Sequence, residues 1–176
     1  MSTLRSDPLL RSTKLFLRFI QGIAILAGIA IVAAIPLIWY FGDHVLAEMA
    51  KQGSHLPGNE ALAAITAILA GCLILLTLAF LLLRHLSALI DTVDQGSPFI
   101  PENAKRLRTM GWLVLAMQGL AFLALPFASW LHHALPHGEV KFSVDLTGIL
   151  TAMLLFILAR VFDRGTQLEA DIEGTV

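Results

Sequence analysis

Charge is what this chain has least of. Only 14% of its 176 residues are Asp, Glu, Lys or Arg, against about 25% in an ordinary soluble domain. It has one cysteine, Cys72, so no disulfide can form within the chain and cysteine usage says nothing of compartment. A formal net charge of -1 supplies no broad basic surface, which argues against direct binding of nucleic acid. The chain also lacks a glycine-rich phosphate loop, a His-Glu-x-x-His helix and a Gly-x-Ser-x-Gly elbow. With no catalytic constellation, cofactor motif or metal-ligand spacing, the chain reads as non-enzymatic.

What is there instead is apolar. Hydrophobic residues make up 57% of the chain, and the mean hydropathy is +0.78. They gather into four runs, 19–41, 61–83, 110–131 and 144–162. A hydrocarbon core about 30 Å thick needs roughly 20 helical residues to cross it. The runs therefore predict an all-α integral membrane protein with four transmembrane helices, built as a single domain over 1–176. Asp145 and Arg160 sit at opposite ends of the fourth run, where they can reach the headgroups. The first run exceeds the 7–15 residues or so of a signal-peptide core, and no small-x-small cleavage site follows it. It is expected to stay as an anchor.

Ten of the 12 Lys and Arg residues fall before the first run, between the second and third, or at and after the fourth. Lys51 and Lys141 alone lie in the other two connections. This asymmetry predicts that both termini are cytoplasmic. Trp39, Tyr40 and Phe41 close the first run and Trp130 the third, as aromatic anchors at the opposite interface would. The two halves are loosely alike. Gly22 to Pro36 precedes Trp39, and Gly111 to Pro126 precedes Trp130; Arg84, Asp91 and Gly96 are echoed by Arg160, Asp163 and Gly165. Two parallel helical hairpins would give this pattern, as would the common edges of any inward–outward helix pair.

The connection 84–109 and the tail 163–176 are the polar segments of the charged side. Leu86, Leu89, Ile90 and Val93 keep helical spacing past the second run. Gly96-Ser97-Pro98 breaks it, and Phe99 and Ile100 are apolar residues in a turn, expected to dock on a neighbour. Pro101 and Glu102 suit the first turn of the next helix. Lys105, Arg106 and Arg108 are expected to pair with Asp91 and Asp94 or to meet anionic lipid headgroups.

On the opposite side lie five of the six histidines: His44, His55, His132, His133 and His137. The acidic residues there are Asp43, Glu48, Glu60, Glu139 and Asp145. Protonating the histidines near pH 6.5 would turn this surface from net acidic to net cationic, which makes them candidate pH sensors. Their spacing is poor for a metal, because Pro136 interrupts any helix joining His133 to His137. No ionisable residue lies in the middle of a run. Gln118, Thr66, Thr77, Thr147 and Thr151 are the deepest polar groups, suited to bonding between helices or to lining a path. Gly28 with Ala24, and Gly71 with Ala67 and Ala63, offer small-residue faces for packing within the chain or in a homo-oligomer.

Gly96-Ser-Pro-Phe99, Asn103, Leu107-Arg108, Phe162-Asp-Arg-Gly165, Leu168-Glu and the acidic close Asp171-Ile-Glu-Gly-Thr-Val176 together resemble the bacterial membrane-protein family called domain of unknown function 2975. That family carries no established activity. Its members are often encoded beside a small helix-turn-helix regulator, so the resemblance implies a multi-pass protein of the bacterial cytoplasmic membrane that partners such a regulator. The candidate contact residues are Gly96, Pro98, Phe99, Asn103, Arg106, Arg108, Gly165, Leu168, Asp171 and Val176. Alternative readings are a small transporter or channel subunit, or an accessory subunit of a larger membrane complex.

Overall fold

The computed structural model describes residues 8–51, 58–96, 98–134 and 146–173, with the backbone alone at 8–10, 49–51, 131–134, 170, 172 and 173. Among the described residues every regular element is an α-helix: α1 (Pro8–Tyr40), α2 (Gly42–Lys51), α3 (Gly58–Asp94), α4 (Pro101–Ala134) and α5 (Leu146–Glu173). Four are long and apolar enough to cross a membrane, over Arg11–Tyr40, Gly58–Asp94, Pro101–Trp130 and Leu146–Glu169. The four apolar runs of the sequence fall in these helices, and each helix extends beyond its run.

Many large apolar side chains of these helices point outward, above all on α1 and α5. Leu15, Phe19, Leu26, Ile29, Phe122, Leu123, Leu150 and Leu154 are all exposed. Soluble proteins rarely expose contiguous apolar patches above a few hundred Å², so the medium that suits this surface is lipid. Where helices do meet, small residues stand at the contact: six of the ten buried apolar residues among those described are alanines. Close backbone approach gains dispersion contacts that lipid cannot match.

The chain forms two compact units, to both of which α1, α3 and α4 contribute. The first comprises Met1–Ala24, Leu78–Ala116 and Asp145–Val176; the second comprises Ile25–Thr77 and Met117–Val144. Leu17, Ala104, Leu107, Met110, Ala152 and Ala159 form the core of the first, and Ala61, Leu62, Ala64 and Ala128 that of the second.

In the second unit the connection after α1 is itself helical, which hydropathy alone did not suggest. Phe41 turns the chain, accepting at its carbonyl from the amides of His44 and Val45. The ten-residue α2 follows, with Asp43 in its first turn against the positive end of the helix. Leu46 packs so close to Gly58 that a Cβ there would come within 2.9 Å of it, and a Cβ on Gly42 would come within 3.2 Å of Leu62. Trp39 donates its indole N–H to Thr66 Oγ1 at 3.1 Å. Pro36 and Pro126 lie inside α1 and α4, and both helices continue past them. The small-residue face at Gly71 meets nothing, whereas Gly28 makes ordinary contact with Leu73 and Leu76.

Candidate functional site

The first unit holds the residues that set this chain apart. α3 ends at Asp94, the amide of Gly96 donates to the Val93 carbonyl, and Gly96 adopts φ +81°. That left-handed conformation is the usual exit of a helix and costs glycine nothing. Five residues after Gly96, Pro101 opens α4, where its missing N–H is no loss, and Glu102 sits in the first turn. The sequence anticipates both the break and the restart.

Asn103 is the hub of this turn and is fully buried. Its Nδ2 donates to Thr92 Oγ1 at 2.7 Å and to the Pro98 carbonyl at 2.8 Å. Its Oδ1 accepts from Arg106 at 2.8 Å. Arg106 also donates to the Ala88 carbonyl at 3.0 Å, which places a cation beside the negative end of α3. Thr92 in turn donates to Leu89. One amide thus ties the end of α3, the turn and the start of α4, and no buried side-chain polar atom among the described residues is left unsatisfied.

α5 closes the other side. Phe99 lies with its ring centroid 5.4 Å from that of Phe162, and a Cβ on Gly165 would approach the Phe99 ring to 2.5 Å. Phe99 therefore docks on α5, and the glycine is the space that admits it. Further along, Phe156 packs edge-on against Trp112 at 5.6 Å, over Gly111. Arg108 meets Asp163 at 2.9 Å. Phe162-Asp-Arg-Gly165, expected to end the fourth helix, lies within it instead. The residues read as a tail continue as α-helix to Glu173.

The charge pairing expected for the connection is also corrected. Lys14 of α1 engages Asp91 and Asp94, each at 2.8 Å; Lys105, Arg106 and Arg108 do not. Lys14 precedes the uncharged stretch that begins at Phe19. About two turns further along α1, Gln21 Nε2 donates to Ser87 Oγ at 3.1 Å. These contacts fix α1 antiparallel to α3. Because the Arg108–Asp163 pair is exposed on both sides, Asp163→Asn is expected to cost about 0.5 kcal/mol or less. Chemical unfolding in detergent micelles, run beside a variant of the buried Asn103, would measure the contrast.

Of the candidate contact residues, Gly96, Pro98, Phe99, Asn103, Arg106 and Gly165 form this internal junction. Arg108, Leu168 and Asp171 are exposed, and Val176 lies outside the described residues. His44 is exposed on α2. His132 and His133 are in α4 with only their backbone described, and His55 and His137 lie outside the described residues. Thr66, Thr77 and Thr151 donate to carbonyls of their own helices, Leu62, Leu73 and Thr147. Half-buried Gln118 makes no hydrogen bond among the described residues. No cluster of three or more His, Cys, Asp or Glu able to hold a metal occurs among them either.

The model of the family described as protein of unknown function, DUF2975, matches residues 47–176. The chain belongs to this family. The matched DUF2975 region contains the whole junction from Ala88 to Gly165, so the Gly-Ser-Pro-Phe turn, its buried asparagine and the α5 glycine fall within one family segment. No curated protein and no solved structure matches the chain. Sequence reasoning placed Asn103 and Phe99 on a surface for a partner. Within the chain Asn103 bonds Thr92 and Pro98 and Phe99 packs over Gly165, and the available hint to the buried amide was an asparagine two residues into a helix that follows a tight turn.

Proposed function

We propose that this is a non-enzymatic protein of the bacterial cytoplasmic membrane, with both termini inside, that reports the state of the envelope to a cytoplasmic helix-turn-helix regulator. One observation carries the reading. Every described Lys and Arg side chain belongs to the unit that also holds the turn and the polar extension of α5. Positive charge marks the cytoplasmic side of a membrane protein, and the same unit exposes further polar side chains. Arg108 and Lys105 on α4, and Leu168, Glu169 and Asp171 on α5, are exposed there. An exposed leucine among charges is the composition of a small docking face with an apolar centre and a polar rim. His44 and its four companions, in the connections poor in Lys and Arg, are the proposed input, gaining charge on mild acidification.

Coexpression with a helix-turn-helix regulator of the kind often encoded beside members of the family, followed by purification in nanodiscs, tests the reading. The regulator is expected to copurify with the wild type and to be lost from Leu168→Asp and Lys105→Glu, neither of which disturbs the junction. Equal recovery with these variants, or no recovery with the wild type, would count against the proposal.

A further inference from the structure

The outward face of α5 is patterned like a lipid. Leu146, Leu150, Met153, Ile157, Arg160 and Arg164 follow at intervals of four and three residues, so they share one side of a helix that turns every 3.6 residues or so. All six are exposed. Neither arginine has an ion-pair partner among the described residues, and the carboxylate nearest in sequence, Asp163, is engaged by Arg108. Glu169 falls on the far side of α5. Asp171 lies two turns beyond Arg164 and already has an interaction.

Two like charges one turn apart repel each other on a helix, so this pair gains from an anion between them. The apolar part, from Leu146 to Ile157, rises about 17 Å, close to the 15 Å or so of one leaflet's hydrocarbon. A second copy of the chain suits the face poorly. Packed parallel it would set arginine against arginine, and packed antiparallel it would press arginine onto leucine, leaving charge buried without a partner. We infer that this face seats an acidic phospholipid, with its phosphate between Arg160 and Arg164 and its acyl chains along Leu146, Leu150, Met153 and Ile157. A zwitterionic lipid fits less well, because its ammonium group lies near the second guanidinium. The regulator reading is not needed for this assignment.

Native mass spectrometry of the full-length protein in detergent tests it, with phosphatidylglycerol and phosphatidylcholine of identical chains as probes. The wild type is expected to retain phosphatidylglycerol about 30-fold better, the effect of two interfacial cations. Arg160→Gln with Arg164→Gln should fall to the phosphatidylcholine level. Arg160→Lys with Arg164→Lys should keep most of the preference and show that the charge matters rather than the packing. Arg11→Gln with Arg18→Gln, on α1, should leave it unchanged. Equal retention of the two lipids by the wild type would overturn the inference. So would a preference that survives the Gln pair, a preference lost equally with the α1 pair, or a Gln pair that changes only the oligomeric state.

Discussion

Asn103→Ala is expected to cost about 4 kcal/mol, the largest effect of any single polar substitution among the described residues. A neutral hydrogen bond contributes about 1 kcal/mol net and one to a charged group about twice that. Asn103 donates two of the first kind and accepts one of the second. Its complete burial means that no solvent replaces them. Asn103→Asp should not rescue the loss. It keeps the acceptor for Arg106 but brings a carboxylate oxygen to within hydrogen-bond distance of the Pro98 carbonyl, where two acceptors face each other. Glu102→Gln, exposed one position earlier, should be nearly neutral. Urea unfolding in micelles would read all three, and an Asn103→Ala variant within about 0.5 kcal/mol of the wild type would refute the hub.

Gly165→Ala should destabilise the protein although it improves the helix. In the interior of an exposed helix the change favours folding by about 1 kcal/mol. Here the new methyl would stand 2.5 Å from Cδ1, 2.8 Å from Cε1 and 3.1 Å from Cγ of Phe99. An entire ring edge must translate, and Phe162 already packs against the same ring at a centroid separation of 5.4 Å. Overpacking of this kind costs about 1–3 kcal/mol, which outweighs the propensity gain. Phe99→Ala removes the obstacle, so the double variant should be more stable than the two single effects predict, by about 1 kcal/mol or more. A peptide spanning α5 alone should become more helical with the same substitution. An increase in the unfolding midpoint of full-length Gly165→Ala would show that the ring does not sit there.

Much of the architecture was legible because it rests on short-range physics. The length of an apolar run, the conformational freedom of Gly96 and the missing donor of Pro101 act within a few residues, so the end of α3 and the start of α4 could be placed from composition and order. α2 was missed because ten residues with one apolar stripe are too few to form a helix on local propensity. Leu46 against Gly58 supplies what the segment lacks alone. Gly165 misled for the same reason: in isolation glycine marks a helix end, whereas in α5 it marks a close approach.

By itself, then, the sequence determined four membrane-length helices, the turn at Gly96–Ile100 and the segregation of cations to particular connections, since hydropathy, helix breaking and charge are properties of neighbouring residues. Only the tertiary structure decided which groups answer one another. Asp91 and Asp94 could have met the nearby Lys105 or Arg108, yet they meet Lys14, 80 residues from Asp94, because α1 lies antiparallel beside α3. Arg108 was thereby left for Asp163, and Asn103 became the buried centre of the turn. Such pairings depend on which helices pack side by side, and that is settled by the fit of whole faces, which no local pattern encodes.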